Sequence, residues 1–291
     1  MSDWPVGLST GCFYQVSIFD CLEAIRNGGF CMVEICSSPS HLDYHDHSRV
    51  KETAQRIQEL GMEAYSFHAP FADEIDITAL DEHQRQFAAR HLFQAAEAAA
   101  ELGVRYFVIH PGPEHSYRPP AEELLRRMQN AADTLNKVAR RCQQLGVGFI
   151  VENMLPHLIF GNNKDMLWLM GAVDNVRVGA CLDTGHAYLS GDLHNVMYKL
   201  SGHLQMIHAN DNRGNNDDHL PPGHGNIQWR PLLVELARTG FHGGFVLELA
   251  GNREAAAILH DARRARQFLR NLSREIAIAV PPAADAAAAP L

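Results

Sequence analysis

The feature of this sequence that most limits its fold is an eightfold alternation of short apolar segments with longer helix-like segments. The apolar segments are rich in β-branched and aromatic residues and lack a strict two-residue polar alternation, which is typical of strands buried on both faces. They lie at residues 6–11, 31–37, 62–69, 105–111, 147–154, 177–183, 203–211 and 244–250. The helix-like segments lie at residues 18–28, 46–60, 81–102, 121–145, 163–171, 191–201, 228–239 and 254–272.

Eight βα units predict an α/β protein built as a single (β/α)8 TIM barrel, because right-handed crossovers between parallel strands close most naturally in this way. Several helix-like segments end at a glycine just before the next strand, as in "ELGVRYF" and "QLGVGFI". An open doubly wound sheet is the alternative, but the first βα turn has no G-x-G-x-x-G motif. We expect one catalytic domain over residues 1–278. The Ala/Pro-rich segment 279–291 has few bulky apolar side chains and is expected to be disordered.

Composition and charge point to a cytoplasmic protein without a membrane or nucleic acid partner. The chain has no apolar run long enough to span a bilayer and no secretory signal pattern. Six cysteines without a C-x-x-C pair predict reduced thiols. The net charge of −9 gives no general attraction to nucleic acid. A homo-oligomer is compatible with the sequence, and the oligomeric state is left open.

Six consecutive strand segments end on a side chain that can bind a metal ion: His68, His110, Glu152, Asp183, His208 and Glu248. The following loops add His186, Asp217 and His219. Alone, each residue is more often a hydrogen-bonded structural group than a ligand. In a barrel, however, all carboxyl ends of the strands meet at one mouth, where carboxylates crowded together need a neutralising cation. The nitrogen and oxygen donors favour one to three divalent ions of Zn, Mn or Fe.

The motifs "SFHAP", "VIHPG", "VENM", "CLDTGHAY", "IHANDN", "DDHLPPGHGNIQW" and "LELAG" occur in this order along most of the chain. With them the sequence resembles the xylose-isomerase-like TIM-barrel superfamily of sugar and sugar phosphate isomerases and epimerases. This superfamily also contains endonuclease IV, the apurinic/apyrimidinic endonuclease.

The resemblance implies two sets of metal ligands. The isomerase and epimerase branch is similar at Glu152, Asp183, His208 and Glu248, which would bind one catalytic ion. The endonuclease IV branch uses three ions, and its additional ligand positions are matched by His68, His110, His186, Asp217 and His219. Two departures count against DNA repair. The segment "GHGNI" has His224 where that branch has an acid, and no segment at the mouth combines Arg or Lys with exposed aromatics.

We therefore expect a small carbohydrate or polyol substrate and a divalent-metal-dependent isomerase or epimerase. The hypothesis is proton transfer through an enediolate, in which one of Glu152 and Glu248 removes the proton and the other returns it. Which of the two acts first depends on substrate handedness. The alternatives are a multi-metal phosphodiesterase similar to endonuclease IV, an inosose-type dehydratase, and a non-catalytic metal-binding protein.

Three further expectations concern residues near the site. His68 and His110 are expected to bind a second ion or the substrate. Arg118 or Arg213 would suit a substrate phosphate, although a surface salt bridge is an equal alternative. Asn153 and Asn210 directly follow ligand positions, so a regular strand would turn them toward the barrel wall in a packing role.

Overall fold

Eight parallel strands pair in chain order, and the last strand pairs with the first, so the sheet closes into a barrel. The computed structural model describes residues 4–114, 116, 119–174 and 178–279. The strands are β1 (Val6–Ser9), β2 (Met32–Cys36), β3 (Glu63–His68), β4 (Tyr106–Ile109), β5 (Gly148–Glu152), β6 (Gly179–Asp183), β7 (Leu204–Ala209) and β8 (Gly244–Leu247). The predicted TIM barrel is confirmed.

The helices surround this barrel. They are α1 (Ile18–Asn27), α2 (His47–Glu59), α3 (Glu82–Glu101), α4 (Ala121–Leu145), α5 (Asn163–Ala172), α6 (Thr184–Leu189), α7 (Leu193–Leu200), α8 (Trp229–Arg238) and α9 (Ala255–Ala279). A short 3-10 helix, Thr10–Phe13, follows β1. Among the N-caps, the side chains of Ser17, Asp46 and Asp81 accept a hydrogen bond from the backbone N–H three residues later. Gly146 ends α4 with a φ of 77°, as predicted for a glycine stop.

Two differences from the sequence expectations concern helix boundaries. The one-and-a-half-turn helix α6 was not predicted, and it begins directly after Asp183 at the mouth of the barrel. Helix α9 continues to Ala279, seven residues beyond the predicted end at residue 272. Disorder is expected for residues 279–291, but Ala279 is the last residue of α9, and residues 280–291 lie outside the described residues. No helix within the described ranges combines the length and apolar character required to cross a membrane.

The barrel interior is a separate apolar cluster, and it fixes which residues face the mouth. Its members are Met32, Tyr65, Tyr106, Val108, Ile150, Cys181, Met206 and Val246. Side chains alternate between the two faces of a strand, so the residue two positions further on also points inward. Four predicted ligands lie two positions beyond members of this cluster and therefore also point inward. They are Glu152 after Ile150, Asp183 after Cys181, His208 after Met206, and Glu248 after Val246. The alternation of side chains along the strands therefore places these four ligands in one layer, directly above the apolar cluster in the barrel interior.

Candidate metal-binding active site

All nine predicted site residues lie at the carboxyl end of the barrel, where they form three adjacent groups. In each group the possible ligand atoms lie within 4.8 Å of one another. The central group consists of Glu152, Asp183, His208 and Glu248. The inner-histidine group consists of His68, His110 and Glu152. The loop group consists of His186, Asp217 and His219. Because Glu152 belongs to two groups, the central and inner-histidine groups share one carboxylate.

The central group is organised around His208. Its Nδ1 lies 3.0 Å from Oε1 of Glu152 and 3.4 Å from Oε2 of Glu248. Asp183 is directly opposite His208 in the register of β6 and β7. The side chains of Glu152, Asp183 and His208 are buried, whereas Glu248 keeps 17 % of its side chain exposed toward the cavity. Glu248 is therefore the member of this group most accessible to a substrate.

The inner-histidine group approaches Glu152 from the other side. Nε2 of His68 and Nε2 of His110 lie 3.5 Å and 3.3 Å from Oε2 of Glu152. Nδ1 of His68 donates to the backbone carbonyl of Ala69 at 2.9 Å, and Nδ1 of His110 pairs with Glu114. With Nδ1 engaged in this way, Nε2 of each ring is the atom directed at the shared carboxylate.

The loop group has the same arrangement around Asp217. Nε2 of His186 and Nε2 of His219 lie 3.4 Å and 3.0 Å from Oδ2 of Asp217. Their Nδ1 atoms donate to the backbone carbonyls of Asn153 at 2.9 Å and Glu248 at 3.2 Å. A hydrogen bond from Nδ1 to a backbone carbonyl thus fixes the orientation of each ring, as is common for metal-binding histidines.

Several buried polar atoms of these groups have no hydrogen-bond partner in the described part of the chain. They are Nε2 of His110, Oε2 of Glu152, Nδ1 of His208 and Oδ1 of Asp217. A buried polar atom without a partner costs about 1–3 kcal/mol, so such atoms normally have a ligand or a bound ion. Each atom belongs to a residue of one of the three groups, and all are nitrogen or oxygen atoms that can bind a metal. The donor set therefore fits divalent Zn, Mn or Fe.

The two glutamates of the central group differ in their acidity. Burial raises the pKa of Glu152, but the neighbouring His208 and His110 outweigh this effect and hold it well below its usual value. Burial raises the pKa of Glu248 to about 7, because here the attraction of His208 is insufficient to compensate. The metal-free site therefore contains one firmly ionised carboxylate and one that titrates near neutrality, an arrangement common among acid/base pairs.

His110 and His219 have raised pKa values in the metal-free protein. Burial lowers the pKa of His110, but the charge of Glu152 and the hydrogen bond with Glu114 raise it to about 10. Burial likewise lowers the pKa of His219, and the hydrogen bond and charge of Asp217 raise it to about 9. These rings are therefore protonated at neutral pH until a cation displaces the proton.

Asp183 is held in place by the two asparagines for which a packing role was expected. Nδ2 of Asn210 donates to Oδ2 of Asp183 at 2.6 Å, and Asn153 exchanges two hydrogen bonds with the backbone of Asp183. Both are buried, as expected, but they position a ligand and do not merely fill the barrel wall. Gly185 permits this arrangement, because a Cβ there would lie 2.0 Å from Oδ1 of Asn210. Oδ1 of Asp183 also caps α6 by accepting from the backbone N–H of His186 at 2.7 Å.

Glu34, which lies in β2 beneath the central group, is a site residue that was not predicted from the sequence. Its side chain is fully buried, and Oε2 is 2.9 Å from Nε2 of His208. Ser9 donates to Oε1 at 3.1 Å, and Ser66 donates to Oε2 at 2.8 Å. Burial raises the pKa of Glu34, but the positive charge and hydrogen bond of His208 lower it to about 2. A carboxylate within the apolar segment "MVEIC" was the available signal, because a buried charge requires a partner.

A cavity of about 530 Å³ opens above the three groups. Phe71 and Tyr14 line it with rings that are 49 % and 42 % exposed, and the Phe71 ring packs edge-on against His68 at 5.1 Å. The described residues that line the cavity include neither lysine nor arginine. Arg213 is exposed and is not part of this lining, and Arg118 lies outside the described residues. The described lining therefore combines carboxylates, histidines and two exposed aromatic residues.

Comparison with known proteins finds relatives of several kinds. The chain is 27% identical over 261 residues to an uncharacterized protein of Methanocaldococcus jannaschii, covering 87% of this chain and 86% of the relative. It is 25% identical over 172 residues to fructoselysine 3-epimerase of Escherichia coli O157:H7, covering 58% and 61%. It is also 25% identical over 225 residues to a probable endonuclease 4 of Mycobacterium ulcerans, covering 73% and 84%.

Solved structures share the fold. A D-tagatose 3-epimerase-like protein superposes with a TM-score of 0.83 at 24% identity, covering 94% of this chain and 99% of that chain. The IOLI protein with a bound zinc atom gives a TM-score of 0.75 at 19% identity, covering 94% and 97%. The family model of the xylose isomerase-like TIM barrel matches residues 22–272. The chain therefore belongs to the xylose isomerase-like TIM barrel family.

Proposed function

We propose that this protein is a divalent-metal-dependent epimerase or isomerase of an unphosphorylated keto sugar. The observation that carries the proposal is the central group, in which Glu152 and Glu248 both lie within 3.4 Å of Nδ1 of His208. Two carboxylates at one cation site are the groups needed to remove a proton from carbon and to return it. The named 3-epimerases among the relatives and structural neighbours support the same reaction class.

The central group would hold the cation through Glu152, Asp183, His208 and Glu248. A divalent ion bound there would polarise the substrate carbonyl and neutralise charge that develops on the adjacent oxygens. Glu248 faces the cavity at its edge and Glu152 lies at its floor. One of them takes the proton from the carbon next to the carbonyl. The other gives a proton back, at the same carbon in epimerisation or at the former carbonyl carbon in isomerisation. In isomerisation the proton of the neighbouring hydroxyl also moves to the former carbonyl oxygen.

The lining of the cavity favours a neutral substrate. A phosphate group is usually held by arginine, lysine or a helix N-terminus, and the described lining contributes no such cation. Glu114 and Asp217 face histidines, and Asp218 adds a further carboxylate to the lining. Exposed aromatic rings such as those of Phe71 and Tyr14 offer flat apolar surfaces against which the C–H face of a sugar can pack.

Metal-assisted phosphodiester hydrolysis is the second candidate, and one observation favours it. The inner-histidine and loop groups are both formed, so the chain has ligands for three ions at one mouth. Clustered ions can activate water and stabilise the attacking and leaving oxygens of a phosphodiester. The described lining has no arginine or lysine to hold the backbone of a polyanionic substrate, which is why we place this candidate second.

The test is incorporation of solvent deuterium into sugars. The metal-free protein is loaded separately with Mn²⁺, Co²⁺ or Zn²⁺ and incubated in D₂O with a panel of ketopentoses, ketohexoses and their phosphates. NMR should show deuterium at the carbon next to the carbonyl in at least one unphosphorylated ketose, with formation of its epimer or isomer. Loss of a β-hydroxyl in place of epimer formation would indicate the dehydratase alternative. Nicking of abasic DNA without any exchange into sugars would favour hydrolysis and contradict the proposal.

A further inference from the structure

His208 differs from the other histidines of the site in the atom that faces the carboxylates. His68, His186 and His219 donate from Nδ1 to backbone carbonyls and direct Nε2 at a carboxylate. His208 directs Nδ1 at Glu152 and Glu248, so its Nε2 points down into the barrel. The only hydrogen-bond acceptor recorded for this Nε2 in the described structure is the carboxylate of Glu34.

The pairing of β1, β2 and β3 positions Glu34 for its contact with His208. Ser9 pairs with Glu34 between β1 and β2, and Glu34 pairs with Ser66 between β2 and β3. The three side chains therefore lie in one layer, and both serine hydroxyls donate to the Glu34 carboxylate. The pairing of β2 with β3 shifts between Val33 and Glu34, because β3 has one extra residue, Tyr65, at this point, and such an irregularity locally changes the direction of side chains. Glu34 reaches across the barrel to His208 from this position.

A purely structural role does not account well for this arrangement. A buried ion pair generally adds little to stability, because the desolvation of two charges offsets their attraction. Within the described chain, Nδ1 of His208 has no hydrogen-bond partner, although the opposite nitrogen is firmly engaged. The Glu34 contact thus leaves Nδ1 as the ring nitrogen directed at the carboxylates of the central group.

We infer that Glu34 is a positioning residue that fixes the tautomer and orientation of His208 so that Nδ1 is presented to a divalent cation. The carboxylate accepts the Nε2–H, which keeps the lone pair on Nδ1 and increases the basicity of that nitrogen. Ser9 and Ser66 hold the carboxylate in the required plane. This inference rests on the proposed metal site and adds to it a residue from β2, a strand that supplies none of the ligands.

The test measures metal binding in the absence of substrate. Wild type, Glu34→Gln and the exposed control Glu122→Gln are stripped of metal and titrated with Co²⁺ and Zn²⁺, with the visible absorption of bound Co²⁺ as a second readout. Glu34→Gln should weaken binding by about 10- to 100-fold, the usual effect of removing an outer-shell partner, and should alter the Co²⁺ spectrum. Glu122→Gln should match wild type. Circular dichroism establishes that each variant is folded.

A measurement on the unaltered protein covers the case in which Glu34→Gln does not fold. In the zinc-loaded wild type with ¹⁵N-labelled histidine, the ring signals of His208 are assigned by comparison with His208→Gln. They should show a proton on Nε2 and none on Nδ1. Glu34→Gln affinity within threefold of wild type overturns the role of Glu34 while leaving the metal site intact. A proton on Nδ1 in the zinc-loaded protein overturns the role of Glu34 and also contradicts His208 as a ligand of the ion. Failure of the wild type to bind any divalent ion overturns the proposed function as well.

Discussion

Oε1 of Glu152 lies 3.0 Å from Nδ1 of His208, while Oε2 of the same carboxylate lies 3.3 Å from Nε2 of His110. A single buried side chain therefore connects the central group with the inner-histidine group. The two rings belong to β7 and the loop after β4, on different sides of the barrel. Loss of this carboxylate would affect both groups, which makes Glu152 the most sensitive position of the site.

Replacement of either proposed acid/base glutamate should abolish proton exchange. For Glu152→Gln and Glu248→Gln we expect deuterium incorporation into the substrate to fall by about 10²- to 10⁴-fold, because general acid or base catalysis contributes factors of this size. The measurement is NMR of the sugar in D₂O with excess Mn²⁺. Glu122→Gln, at an exposed glutamate in the first turn of α4, should retain wild-type exchange. Full activity in both site variants would disprove the assignment.

Removal of metal should lower the thermal stability. At a concentration 100-fold above its Kd, an ion that binds only the folded state stabilises it by about 2.7 kcal/mol. For a chain of this size the midpoint of thermal unfolding should rise by about 5 °C or more on adding Mn²⁺, and EDTA should reverse the rise. In Asp183→Asn, which keeps an acceptor for the N–H of His186, the rise should be much smaller. An equal rise in both proteins would place the ion elsewhere.

The stabilisation by metal should increase with pH. The pKa values of His110 and His219 are raised to about 10 and about 9 in the metal-free fold, above those of an unfolded chain. Their ion pairs therefore stabilise the metal-free protein fully below about pH 6.5 and progressively less as pH rises toward these values. A cation needs the neutral rings and competes with protons. The difference in unfolding temperature with and without Mn²⁺ should thus grow from about pH 6 to about pH 8.5.

Calorimetry gives an independent check of this proton competition. Metal titrations at neutral pH in two buffers with different ionisation enthalpies should yield different apparent binding heats, because the displaced protons are taken up by the buffer. The release should be smaller in His219→Gln, which lacks one of the protonated rings. Identical heats in both buffers would show that the rings are already neutral or are not displaced by the ion.

Replacement of the aromatic residue Phe71 at the cavity should weaken substrate binding without lowering the catalytic rate constant. Phe71→Ala removes an exposed ring at the cavity, and loss of an aromatic contact typically costs about 0.5–1.5 kcal/mol. We expect KM to increase about 2- to 10-fold, with kcat within about twofold of wild type. Phe87→Ala is the matched control, since this phenylalanine is 37 % exposed on α3 and outside the cavity lining. Equal KM values for Phe71→Ala and wild type would exclude the ring from the binding surface.

The barrel could be predicted because its signals are local. Each strand appears as a short apolar run and each helix as a longer amphipathic one, so the eightfold order can be read without knowing any long-range contact. Strand-end residues such as His68 and Asp183 follow from the same pattern, because parallel strands bring their carboxyl ends to one face. The extra helix α6 was missed since its residues, Thr184–Leu189, follow the strand without any intervening loop.

What the sequence alone determined about this protein is the barrel and the set of side chains at its mouth, since both depend on periodicity and on the order of residues along the chain. The tertiary structure alone decided which atoms meet. Glu34 and His208 are 174 positions apart, and Asn210 and Asp183 are 27 apart. Their contacts depend on strand register, on the irregular pairing of β2 with β3 and on ring orientation. These features arise when the whole sheet closes, because closure fixes the stagger between all eight strands at once.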